Sequence, residues 1–416
     1  MDILSLFTVL TILSALFGYF NLRFLRLPGT IGLLVIAVLF TLGILAAGYF
    51  VPEIATRAES FVRGIDFEHL LMDGMLSFLL FAGALHTDFE ALKQYRWPII
   101  TFATVGVLIS TLIVGSLLFL VSTGLGFSIS YIYCLLFGAL ISPTDPIAVL
   151  GILKKAGAPK PLEIKIVGES LFNDGIGVVV FLTLYSIART GLGEITALEV
   201  AELFAVEVIG GIALGLALGW IAWQMMRRID DYATEVMITL SVVMGGYWLA
   251  SHWHVSGPLA MVVAGLFIGN ETVRASAMSA TTSLYVDKFW ELVDVFLNAV
   301  LFVLIGLEII LMDWEPKILL LGVLSIPVVL MARFVSLEIP IRFMQRKLNF
   351  LPRTSWIMTW GGLRGGISIA LALSLSAEMP RELFLNITYI IVLFSIVVQG
   401  LTVEKVVGLV GVGRKR

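Results

Sequence analysis

Thirteen stretches of this 416-residue chain are each apolar for close to the roughly 20 residues that a helix needs to cross a bilayer. They cover 3–21, 29–51, 69–87, 97–121, 127–154, 161–189, 200–225, 232–252, 257–271, 289–311, 316–342, 354–376 and 385–405, the ninth being the shortest. In hydrocarbon a spanning segment must satisfy its own backbone hydrogen bonds, which an α-helix does and an open strand does not. Only 14% of the residues are charged, against roughly 25% in soluble domains. The expected fold is therefore an all-α polytopic membrane protein of about 13 transmembrane helices.

Lys and Arg test this reading independently, because cytoplasmic loops carry an excess of them. With the N-terminus outside, the loops that fall inside and the C-terminal tail hold 20 of these residues, and the opposite side holds 5, namely Arg57, Arg63, Arg189, Lys317 and Arg381. Arg333 and Arg364 alone remain, both within apolar segments. The expectation is a multi-pass protein of the plasma (inner) membrane, N-terminus outside and C-terminus cytoplasmic, with lipid as its surroundings. A net charge of −3 and no basic run with interleaved aromatics argue against nucleic acid as a partner. With no phosphate loop or zinc motif, neither ATP coupling nor an enzyme is expected.

Two segments are built to break. Pro143 and Pro146 interrupt the fifth, each lacking a backbone donor and pushing the residue before it out of the helical region. In the twelfth, Gly361, Gly362, Gly365 and Gly366 surround Leu363 and Arg364 and remove the side chains that stiffen a helix. The alternation makes these segments antiparallel and seven apart. That spacing predicts inverted repeats, segments one to six mirrored by eight to thirteen with the seventh as linker. Matched interruptions in two halves point to a transport site. Half-helix N-termini are partly positive and C-termini partly negative; Asp145 is suited to the first and Arg364 to the second.

The sixth segment supplies the chemistry through Glu169, Ser170, Asn173 and Asp174. Asp174 falls about 20 Å along a helix that starts near Pro161, close to mid-bilayer, and Ser170 is one turn earlier on the same face. Glu169 is turned from Asp174 by about 140°. Ser170 and Asp174 are thus expected to face Asp145, and Glu169 with Asn173 to face packed protein, where Arg333 is the partner a buried anion needs. Two carboxylates, a hydroxyl and freed carbonyls are hard oxygens of the kind that hold a small cation. Two acids together in a low-dielectric site do not both stay charged without a counter-ion. A proton and a metal cation then compete for one place, which is an exchange mechanism.

These residues resemble the monovalent cation:proton antiporters, in particular the NhaP-type sodium/proton exchangers. The resemblance rests on Thr144-Asp145-Pro146, Glu169-Ser170 with Asn173-Asp174, the lone Arg333, and Gly362-Leu363-Arg364-Gly365, and it extends over nearly the whole chain. It implies two crossed discontinuous helices and a homodimer. It also implies a dimerisation domain of residues 1–96 and 232–315, a core of 97–189 and 316–416 that moves as an elevator, and a linker of 190–231. By resemblance, Asp145, Ser170, Asp174 and the Thr144 carbonyl ligate Na+, and Asp174 carries the proton. Glu169, Asn173, Arg333 and Arg364 support the site. The Asn-Asp pair implies electroneutral exchange of one cation for one proton; Na+ or another alkali ion (Li+ or K+) and H+ are cargo, and no cofactor is expected.

The competing reading is a sodium-coupled symporter of a small organic solute, which would need a roomier cavity. An intramembrane aspartyl protease would need Gly-x-Gly-Asp and Tyr-Asp pairs, and neither surrounds Asp145 or Asp174. His69, His86, His252 and His254 fall at segment ends and fit interfacial roles, and Glu308 and Glu338 are expected near water at segment ends.

Overall fold

The computed structural model describes residues 3–145, 153, 158–190, 197–312, 314–346, 348 and 350–409. Among these residues nine helices are long and apolar enough to cross a bilayer. In chain order the principal helices, spanning and shorter together, are α1 (Ile3–Phe20), α2 (Gly29–Phe50), α3 (Pro52–Arg63), α4 (Leu76–Leu85), α5 (Val107–Gly124), α6 (Tyr131–Ile141), α7 (Lys160–Thr190), α8 (Ala197–Met226) and α9 (Tyr232–Trp253). Then follow α10 (Gly257–Gly269), α11 (Glu271–Ala277), α12 (Ala280–Leu307), α13 (Pro316–Met344), α14 (Thr354–Gly361), α15 (Gly366–Leu373), α16 (Arg381–Leu393) and α17 (Gly400–Leu409).

Among the described residues each of the thirteen apolar stretches contains helix, the fifth over Tyr131–Ile141, with four departures in detail. Four π turns, Asn21–Leu25, Leu70–Met75, Phe102–Gly106 and Phe394–Gln399, loosen otherwise continuous helices. The amphipathic α3 fills the second connection, with Pro52 in its first turn, where a missing backbone donor costs nothing. The short α11, capped by Asn270 through the Thr272 and Val273 N–H groups, fills the connection after α10. The twelfth stretch is two helices rather than one. Polar caps also fix α9: the Asp231 carboxylate accepts from the Thr234 N–H (2.9 Å) and hydroxyl (2.6 Å), and these donors hold it below the usual carboxylate range.

Packing sorts the helices into two groups. In one, α2 packs on α12, α4 on α10 and α12, and α8 and α9 on α10. In the other, α5 packs on α6 and α13, α6 on α7 and α15, and α16 on α13 and α15. The apolar interior of the second group includes Val114, Phe137, Leu140, Phe181, Leu371 and Phe384. The groups meet where α7 lies on α10 and α15 on α12.

Candidate functional site

α6 ends at Ile141; Ser142 keeps helical φ and ψ, against the expectation that Pro143 pushes it out of that region, and donates its N–H to the Ala139 carbonyl at 3.3 Å, but Pro143 has no donor to continue the ladder and residues 143–145 run without helical bonds. Pro146 lies outside the described residues. The other interruption spans 362–365: Gly361 closes α14 and Gly366 opens α15, leaving Gly362, Leu363, Arg364 and Gly365 between them. The two interruptions meet in a short antiparallel bridge, where the Asp145 N–H donates to the Leu363 carbonyl at 2.8 Å.

Arg364 braces this crossing and is 2% exposed. Its guanidinium donates to the carbonyls of Ser142 and Pro143, the latter at 2.9 Å, and its backbone N–H donates to Ser395 Oγ at 2.9 Å. Carbonyls left over at the end of α6 thus receive a cation. Asp145 lies against Gly365, at the N-terminus of α15. A methyl at Gly365 would lie 2.8 Å from Asp145 Cβ and Oδ2, so only glycine admits the carboxylate there. Gly177 works likewise for α7, since a methyl at that position would lie 2.5 Å from Pro143 Cγ.

α7 presents its polar residues to this crossing. The Ser170 hydroxyl donates to the Thr144 carbonyl, and the Thr144 and Ser170 hydroxyls are 3.4 Å apart. Asn173 Nδ2 donates to Thr144 Oγ1 (2.9 Å) and to Glu169 Oε1 (3.1 Å), while its Oδ1 accepts from the Thr144 N–H (3.3 Å). Asn173 therefore bridges Glu169 and the unwound stretch instead of facing only packed protein, because an amide carries both donors and an acceptor. Glu169 accepts two bonds from Arg333, at 2.5 and 2.6 Å, with both side chains buried. Such a planar two-point contact neutralises the carboxylate.

Asp174 is treated differently. It is 6% exposed, and its Oδ1 has no hydrogen-bond partner among the described residues. With Asp145, Thr144, Pro143, Gly365 and Gly366 it lines a cavity of about 70 Å³, walled by leucines of α4 and the preceding π turn. Asp145 and Asp174 thus open onto one space. Two polar residues the sequence reading passed over, Asn298 of α12 and Ser368 of α15, line it too. The signal for Asn298 was a lone amide in the run Leu297-Asn298-Ala299-Val300-Leu301. Glu308, expected near water, is 3% exposed against the buried Tyr389, at a separate cavity of about 1140 Å³.

Comparison with known proteins adds four findings. The profile of the family described as sodium/hydrogen exchanger, transmembrane, matches residues 12–408. The chain is 49% identical over 414 residues to the Na+/H+ antiporter NhaP of Pseudomonas aeruginosa, covering 98% of this chain and 96% of that protein. It is 35% identical over 373 residues to the antiporter NhaG of Bacillus atrophaeus, covering 88% and 68% respectively. In structure it is similar to the sodium proton antiporter MjNhaP1 of Methanocaldococcus jannaschii at pH 8, with a TM-score of 0.72 over 99% of this chain and 98% of that one, at 20% identity.

Proposed function

The chain belongs to the transmembrane sodium/hydrogen exchanger family, and from that premise we propose that it is a cation:proton antiporter exchanging Na+ for H+ at one shared carboxylate site. The observation that carries this reading is the buried, unpartnered Asp174 oxygen opening onto the same small cavity as Asp145. A bare buried carboxylate is costly and demands a positive partner. Glu169 has one in Arg333; Asp174 has a cavity instead. A proton or a partly dehydrated sodium ion fills that role, and loading one expels the other.

In this mechanism Asp145, Ser170, Asp174 and the Thr144 carbonyl hold the cation, and Asp174 holds the proton. Glu169, Asn173, Arg333 and Arg364 keep the crossing in shape. Asn173 takes no proton, so one carboxylate titrates per cation moved and exchange is electroneutral. The cavity volume supports an inorganic cargo: about 70 Å³ is far below the roughly 300 Å³ of sites for organic ligands, which disfavours the solute symporter. The two packing groups support a core of α5–α7 and α13–α17 that moves against a dimerisation scaffold of α1–α4 and α9–α12. The helix α8, read from sequence as a linker, packs on the scaffold side. The N-terminus is outside, the C-terminus cytoplasmic, and the unit is a homodimer.

The test is sodium-induced proton release from everted vesicles carrying an imposed pH gradient. Asp174→Asn abolishes it if the reading is right, and persistence at the parent rate rejects the shared site. Electroneutrality has its own check in proteoliposomes, where sodium flux that follows membrane voltage would rule it out.

A further inference from the structure

Asn298 and Ser368 line the cavity beside the four sequence-derived ligands, and each has a buried oxygen without a partner among the described residues. Asn298 is 2% exposed, and its Nδ2 donates to two atoms of Asp294, the carbonyl at 2.8 Å and Oδ1 at 3.0 Å. Both are acceptors, so the amide is oriented with its NH2 towards Asp294 and its Oδ1 turned away. That Oδ1 has no partner among the described residues, and neither has Ser368 Oγ, on a side chain 1% exposed. Both residues, with Asp174 and its own unpartnered oxygen, line the cavity of about 70 Å³. Leaving even one buried polar atom unpaired is unfavourable, so three around a single space mark a place for something they can all bind.

We propose that Asn298 Oδ1 and Ser368 Oγ complete the oxygen shell of the cation held at Asp145 and Asp174, with Asp294 as the residue that positions the Asn298 amide. Small hard cations take about six oxygens, amide carbonyls among them, and two carboxylates that each bind through one oxygen, a hydroxyl and one carbonyl give about four. α12 packs in the opposite group from α6, α7 and α15, so Asn298 brings an oxygen to the cation from across the boundary between the groups. Asp294 is half-buried one turn before Asn298 on α12 and acts only through the amide it holds.

The inference rests on the shared-carboxylate reading and is tested beside it. Sodium and lithium KM values for exchange are measured in everted vesicles for Asn298→Ala, Asn298→Ser, Ser368→Ala and Asp294→Ala, with Asp174→Asn in the same series. Loss of one oxygen ligand in Asn298→Ala raises the sodium KM by about tenfold, equivalent to about 1.4 kcal/mol. The KM rises more than turnover falls, and the lithium-to-sodium KM ratio shifts with it. Asn298→Ser returns an oxygen and recovers part of the loss, and Ser368→Ala raises KM by less. Asp294→Ala lets the amide turn, so KM rises while the melting temperature stays near that of the parent. Falling turnover and melting temperature with KM unmoved in Asn298→Ala and Ser368→Ala would reduce both residues to packing and overturn the proposal. Should Asn298→Ala fail to fold, Asn298→Ser and Ser368→Ala decide the question on the same criterion. Exchange abolished in Asp174→Asn with unmoved KM values in the other variants sinks only this inference; exchange surviving in Asp174→Asn sinks the reading beneath it.

Discussion

Glu169 and Asp174 lie five residues apart on one helix, both buried, and the protein treats them in opposite ways. Both Glu169 oxygens are met: Arg333 clamps them with two bonds and Asn173 adds a third. Around Asp174 a demand is left open onto a cavity. Removing one partner of a closed buried pair leaves an uncompensated charge. Altering an open carboxylate disturbs little of the fold and removes whatever the cavity was built to receive. On the antiport proposed above, two acids in one turn and a half of helix divide into a fastener and a receptor, and what separates them is satisfaction rather than residue type.

The contrast is broken or sharpened by substitution on either side of it. Asp174→Asn carries the largest functional effect, complete loss of sodium-dependent proton movement, with a melting temperature within a few degrees of the parent; a sharp drop in that temperature would make Asp174 structural and erase the contrast. Arg333→Ala comes next and should cost about 3–5 kcal/mol of stability, read as lost yield and a lowered melting temperature in detergent, because Glu169 is left charged without its cation. A well-folded Arg333→Ala protein with only a changed cation preference would move the pair from the fastener to the receptor. Gly365→Ala presses a methyl against Asp145 and should cost about 1–3 kcal/mol by overpacking, with exchange falling further than stability does. Unchanged exchange would show that Asp145 has room to spare.

The smallest effect is at Asp231, far from both. Its carboxyl is held below the ordinary range by the Thr234 donors, so its contribution is present above the unfolded carboxylate value of about 3.9 and is lost as pH falls through the lower folded value. Asp231→Ala should therefore lower the melting temperature by about a degree at neutral pH and by less in strong acid, by scanning calorimetry. An equal shift at both pH values would mean that the cap acts through shape and not charge.

The helices were legible because a bilayer requires long apolar runs and charge alternates between its faces, and both signals are local in sequence. Pro143 and the glycines of 361–366 announced their interruptions for the same reason: backbone freedom is written in residue type. The π turns were not legible, since no residue type encodes a slipped hydrogen bond. Lys165 shows the other limit. Counted among loop cations, it is 3% exposed, its ammonium 5.0 Å from the Tyr95 ring centroid and 4.4 Å from that of Phe350. Cation–π attraction makes such burial tolerable, but its two partners come from distant connections that only the folded chain brings together. Asn298 was hidden likewise, by lying on the helix group opposite the residues that drew notice.

The bridge between Asp145 and Leu363, with Arg364 fastened to the carbonyls beside it, ties both interrupted strands of backbone into a single knot. Slack in one strand would be felt at once by the other, so neither half can shift without pulling on its neighbour. On the antiport proposed above, whatever rides at the crossing would travel with both halves as one piece.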